Sequence, residues 1–202
     1  MARIYIFKRF ERFWHWAQTV LVIFMLVSGF EIHGSYALFG WEKAANLHTT
    51  AAWALIGLWL FAIFWHFTTG EWKQYIPTTE NIFGVMNYYS VGIFNGTPHP
   101  FRVTQLTKHN PLQRLAYLIL KLFINPLIWV SGLAYLYYNE LGAAKIASIK
   151  LGSIALAHTA GAFMMLAFVL GHLYLATTGQ TPLAHIKAMI TGWTHAHDES
   201  SH

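Results

Sequence analysis

Apolar residues in this chain fall into four long runs, and polar residues gather in the segments between them. The runs cover about 13–33, 47–68, 112–138 and 151–177. At 1.5 Å of rise per residue, each is long enough to cross a hydrocarbon layer about 30 Å thick as one helix. The pattern predicts an all-α membrane protein, a four-transmembrane-helix bundle forming one domain over residues 1–202. The first run is too long for a signal peptide and lacks a small-residue cleavage site, so it is expected to remain as a span. Composition agrees: of 202 residues, 55% are hydrophobic, 17% aromatic and only 10% charged.

Charge adds the orientation. Arg3, Lys8, Arg9 and Arg12 precede the first span, and Lys73, Arg102, Lys108 and Arg114 lie between the second and third. The opposite loops hold only Lys43, Lys145 and Lys150. Cationic loops stay on the cytoplasmic side, so both termini are expected there. This asymmetry accounts for the net charge of +5 and leaves no patch suited to nucleic acid. The loop 69–111 holds Pro77, Pro98, Pro100 and several aromatics, and is expected to pack against the cytoplasmic surface. The tail 179–202 contains a short amphipathic helix, 182–190, suited to the lipid interface, and then a polar end read as disordered. His195 and His197 in that end lack supporting metal ligands. The chain has no cysteine, which excludes covalently attached c-type haem, Cys-ligated iron–sulfur clusters and disulfides.

Histidine carries the candidate chemistry. His158 and His172 lie fourteen residues apart inside one apolar run. On a helix that is close to four turns, so both rings leave one stripe about 21 Å apart. Two imidazoles in hydrocarbon are costly unless they bind something, and two haems at two depths fit this spacing. His48 and His158 both start spans running outside to inside, so they pair near the outer face. His172 lies deeper, with His15 or His66 as its partner. His48 and His66 are eighteen residues apart, about 27 Å against about 21 Å for the other two. His15, on a different helix, avoids that mismatch and is favoured. For His66, at a helix end, a hydrogen bond to a neighbouring carbonyl is the simpler expectation. His33, His99, His109 and His185 fall at span ends or in loops, where solvation suffices.

Other residues take their meaning from these. Spans one and two loosely echo spans three and four. His48-Thr49 matches His158-Thr159, Ser28-Gly29 matches Ser131-Gly132, and Tyr117 stands where the first span has His15. Gly29, Gly57, Gly132, Gly161 and Gly171 offer room for a porphyrin face or for close helix packing. Trp14, Trp16, Trp41, Trp72 and Trp193 suit an interfacial belt. Arg12 is placed to meet a haem propionate or to anchor the span. Lys121 lies inside the third span, where it must pair or snorkel, with a propionate as one partner. Pro126 is expected to kink that span.

Arg12-Phe13-Trp14-His15-Trp16, Leu47-His48, the His158/His172 pair and Lys108-His109-Asn110-Pro111-Leu112-Gln113-Arg114 together resemble the dihaem cytochrome b subunits of bacterial respiratory enzymes. These are the membrane subunits of nickel–iron hydrogenases, formate dehydrogenase and thiosulfate reductase-like enzymes. The resemblance covers about residues 5 to 190. It implies His15 and His172 as metal ligands of a cytoplasmic-side haem b, and His48 and His158 as ligands of a periplasmic-side haem b. It also implies a quinone site beside the inner haem, near Asn110, Gln113 and Arg114. His66 has no ligand counterpart and could line that site.

The expected function is an electron conduit in the bacterial cytoplasmic (inner) membrane. It would join a periplasmic partner, such as an iron–sulfur, multihaem cytochrome or other catalytic redox subunit, to the quinone pool, menaquinone or ubiquinone. Membrane lipid would surround it, with a homo-oligomer inside a larger complex also open. One alternative is a stand-alone b561-type quinone oxidoreductase acting on a small oxidant. Another is a non-redox transporter using histidines as proton relays.

Overall fold

The computed structural model describes residues 3–97, 100, 101, 104, 107–143, 150–179 and 181–195. Four helical segments are long and apolar enough to cross a membrane: Arg9–Ile32, Trp41–Thr69, Pro111–Leu136 and Leu151–Ala176. They match the four predicted runs to within six residues at every end. Helix α1 spans Arg9–Ile32 and α2 spans Trp41–Thr69. A 3-10 turn, Glu71–Tyr75, and helix α3, Ile82–Ser90, shape the cytoplasmic loop.

The third span is broken. Helix α4, Pro111–Ile119, passes into a π-helical turn, Leu120–Ile124, and continues as α5, Asn125–Leu136. Pro126 explains the place. It has no N–H for the ladder and its ring crowds the preceding turn, so the backbone widens just before it. Lys121 rides on this widened turn. Helices α6, Tyr138–Ala143, and α7, Leu151–Ala176, lead to the cytoplasmic side, where α8 covers Ala184–Thr191.

Both ends of the described chain meet there. Strand β1, Arg3–Tyr5, pairs antiparallel with β2, Trp193–His195, with Ile4 opposite Thr194. The strand reaches His195, the first residue of the polar end, because a facing edge is available from residue 3; the rest of that end lies outside the described residues. Trp16 donates to the Met189 carbonyl at 3.3 Å, and Arg12 to that of Ile190, which fixes α8 on the start of α1. His99, Arg102, Lys145 and His197 lie outside the described residues, as does the side chain of His195.

Packing divides the spans into two hairpins. Helix α1 packs chiefly on α2, and α5 on α7, with far less direct contact between the pairs. Large apolar side chains such as Val130 and Leu156, about 70% exposed, face outward as a lipid-facing surface requires.

Two devices close the ends. On the outer side, Glu31 Oε1 accepts from the backbone N–H groups of Leu38, Phe39 and Gly40 at 2.6–2.8 Å. One carboxylate oxygen thus holds the α1–α2 turn. On the cytoplasmic side, Lys108 Nζ lies 2.8 Å from both Glu11 and Glu71, and Lys8 reaches Glu71 at 2.6 Å. Lys108 and Glu11 are almost fully buried, so each depends on the other to offset its lost hydration.

Candidate functional site

Between the hairpins, histidines face one another at two depths. His48 of α2 and His158 of α7 have ring centroids 6.3 Å apart. His15 of α1 and His172 of α7 have theirs 6.0 Å apart. In each pair, one ring comes from the α1–α2 hairpin and the other from α7. A metal ion binds an imidazole nitrogen at about 2 Å, with the ring centre about 1 Å further back. A metal held between two such rings needs centroids about 6 Å apart, which both pairs provide.

The outer pair is held by a repeated local device. Ser28 Oγ donates to the Phe24 carbonyl at 2.9 Å and lies 3.0 Å from His48 Nδ1. Ser131 Oγ donates to the Leu127 carbonyl and lies 3.1 Å from His158 Nδ1, which also meets the Ile128 carbonyl at 3.1 Å. With each serine proton used on its own helix, the serine oxygen accepts from Nδ1–H. This fixes the tautomer and leaves Nε2 as the free lone pair.

The glycine after each serine makes the approach possible. A Cβ at Gly29 would stand 3.2 Å from His48 Cε1, and one at Gly132 2.9 Å from His158 Cε1. These two glycines therefore admit an imidazole edge. Gly161 serves helix packing, since a Cβ there would meet Ile128 Cγ1 at 2.6 Å. Gly57 and Gly171 border open space.

The inner pair is set by aromatic packing. His15 lies edge-on to Trp16, and His172 stacks on Phe168 at 6.0 Å with planes 7° apart. His15 Nδ1 is buried without a hydrogen-bond partner.

His66 does not join this pair. Its Nδ1 meets the Ala62 carbonyl at 2.6 Å, as the simpler sequence expectation held, and Nε2 is buried without a partner. Its ring packs on Trp14, Trp65 and Tyr75. Trp14 is thereby drawn inward, with a buried and unpaired Nε1, instead of serving in the interfacial belt. Around Tyr75 a polar cluster forms: His109 stacks at 5.2 Å, Tyr117 lies at 5.8 Å, and Lys121 Nζ sits 3.6 Å above the ring. The Lys121 charge thus has a π-face partner within the protein. Burial raises the Tyr75 phenol above its usual range. Burial, followed by the Lys108 and Arg114 cations, lowers His109 to about 3, so its ring is neutral at ordinary pH.

Asn110, Gln113 and Arg114 border this cluster but have structural work. Asn110 Oδ1 accepts from Gln113 N at 2.8 Å, and Gln113 Oε1 from Asn110 N at 3.0 Å, forming a capping box at the start of α4. Asn110 also donates to the Tyr89 hydroxyl at 3.1 Å, and Arg114 donates to the carbonyls of His109 and Ile76. Arg12 points one nitrogen at α8 and keeps a buried, unpaired Nε.

Sequence reasoning missed Glu11 and Glu71. With eight carboxylates in 202 residues, two beside a span end were a signal in themselves. It noted Ser28 and Ser131 as an echo without a role. Among the described residues, no group of three metal-ligating side chains occurs.

Four spans enclosing histidine pairs at two depths define a membrane cytochrome frame. Residues 6–192 match the prokaryotic cytochrome b561 family, and the chain belongs to it. It is also similar to an Escherichia coli (strain K12) protein named "Putative cytochrome YdhU", with 31% identity over 96% of this chain and 76% of that protein. No solved structure matches the chain. The family is one of membrane electron-transfer cytochromes, and haem b is the cofactor it implies.

Proposed function

We propose that this protein carries electrons between a periplasmic redox subunit and the membrane quinone pool through two haems b. One is held by His48 and His158, the other by His15 and His172. The observation that carries this reading is the matched geometry of the two pairs, each bridging the hairpins at a separation suited to one iron. Haem b ligated by two histidines is a one-electron carrier with no open iron position, which suits transfer rather than oxygen binding. The chain's own part is to fix the rings, exclude water from them, and supply charge. Arg12, through its free Nε, and Lys121 would balance the haem carboxylates at the inner level.

The quinone headgroup is assigned to the cytoplasmic cluster of His66, Tyr75, His109, Tyr117 and Lys121. Asn110, Gln113 and Arg114 shape its wall through the cap of α4. Reduction of a quinone to a quinol takes up two protons, and His66 and His109 each keep a buried ring nitrogen free to pass one. The periplasmic partner would dock near the outer pair.

Two measurements test this. Haem content per chain is expected to fall from two to one in His158→Ala and in His172→Ala; two haems retained in either variant would refute the ligands. Copurification tests the partner. A redox subunit that isolates with the chain supports the conduit, whereas a lone chain turning over a small oxidant with quinone would replace it with the stand-alone enzyme.

A further inference from the structure

The two histidine pairs differ in one chemical respect that bears on the direction of electron flow. His48 and His158 each have Nδ1 at an acceptor whose own proton is committed elsewhere. For His48 it is Ser28 Oγ, which donates to Phe24 O. For His158 it is Ser131 Oγ, which donates to Leu127 O, with a further bond at Ile128 O. In both, a serine that donates to the carbonyl four residues before it meets the Nδ1 of a histidine on the facing helix, so the two serine contacts are copies of one another on α1 and α5. His15 Nδ1 is buried with no acceptor, and no hydrogen bond to the His172 ring occurs among the described residues.

An acceptor on Nδ1–H pulls the proton away from the ring and makes Nε2 a stronger electron donor. A more basic ligand stabilises the oxidised, more positive iron over the reduced one. The serine supplies this at no cost in unpaired groups, because its hydroxyl both donates and accepts. At the inner level that donation is missing, and Arg12, one helical turn before His15, brings a cation that favours the reduced form.

We propose that Ser28 and Ser131 are positioning residues that lower the potential of the outer haem below that of the inner one, so that electrons fall inward and quinone is the acceptor. The proposal rests on the ligand assignment above. It adds that two serines, which touch neither iron nor substrate, set the order of the two potentials.

Redox potentiometry of the purified holoprotein, followed by the visible haem bands, tests it. The component missing in His158→Ala marks the outer haem, and in the parent chain it is expected to be the lower of the two. Ser28→Ala and Ser131→Ala should each move that component upward and leave the inner one in place, the double variant further still. Ser28→Thr and Ser131→Thr keep the hydroxyl and should restore the parent value. If an alanine variant loses the outer haem, the threonine variant must restore both that haem and its potential. The serine role is overturned by an unmoved outer component in alanine variants with both haems bound, by an equal shift of both components, or by threonine behaving like alanine. An outer component above the inner one in the parent chain overturns the ordering. Retention of both haems in His158→Ala would instead sink the ligand assignment itself, so the two failures are separable.

Discussion

The outer and inner histidine pairs have nearly equal ring separations, 6.3 and 6.0 Å, yet are set by different means. Two serine–glycine steps hold the outer rings, one on each hairpin. Aromatic packing from Trp16 and Phe168 holds the inner rings, and the order of that end comes from the ion network around Lys108. Where a hydrogen bond is local, a short motif can place a ring. Where charges from three distant segments must meet, the placement belongs to the assembled bundle.

The largest effect should come from removing a ring at either level. His48→Ala and His158→Ala should each abolish the outer haem and spare the inner, with His15→Ala and His172→Ala doing the reverse. Pyridine haemochrome content and the split of the reduced spectrum read both outcomes. Any variant that loses both haems at once would show the levels to be coupled rather than independent.

Next in size is Lys108→Met, which leaves Glu11 and Glu71 facing each other without their shared cation. Breaking a buried pair this way costs about 3–5 kcal/mol. Thermal unfolding in detergent should show it, with the inner haem lost before the outer. An unchanged melting temperature would remove the network from the account of the inner end.

Gly132→Ala and Gly29→Ala probe the outer end. Overpacking of this kind costs about 1–3 kcal/mol. The Gly132 change should be the worse, since its Cβ would meet the ring at 2.9 Å against 3.2 Å at Gly29. Equal effects on outer-haem occupancy would contradict the geometry.

The pH response should localise to the inner end. His109 is held down at about 3, whereas an unfolded histidine takes its proton near 6.5. Its contribution to stability is therefore complete above about 6.5 and is lost as pH falls from there toward 3. Glu71 acts in the same direction at lower pH. Burial alone would raise its carboxyl, but hydrogen bonds and charge from Lys108 and Lys8 outweigh that and lower it. Melting temperature followed across this range should decline less steeply in His109→Phe.

The smallest expected effect is at Asn110. Loss of its cap in Asn110→Ala should cost about 1 kcal/mol, and Asn110→Ser should recover most of it. Quinone reduction that recovers together with the cap would mark Asn110 as a wall of the site. Activity lost equally in both variants would mark direct contact with the headgroup.

Some of the site was readable because it is local. The fourteen-residue spacing of His158 and His172 fixes a shared stripe on any helix, and depth along two parallel spans pairs His48 with His158. Asn110 and Gln113 carry the spacing of a capping box, although resemblance had directed them toward quinone. The echo of Ser28-Gly29 in Ser131-Gly132 was visible, but its purpose was not, since a serine beside a glycine does not say which ring will arrive. His66 was separable from the inner pair by the arithmetic of rise alone.

Sequence alone determined the four spans, the four histidines facing inward at two levels, and the break near Pro126. Each of these follows from hydrophobic periodicity, helical rise or a missing N–H, and none needs a distant partner. Only the tertiary structure decided that Lys108 would bind Glu11 across 97 residues and Glu71 across 37, that residue 3 would pair with residue 195, and that a serine on one helix would accept a hydrogen bond from a histidine on another. Such contacts depend on the relative rotation and depth of packed helices. Those are set by the sum of many weak side-chain interactions, and no segment of the chain encodes them by itself.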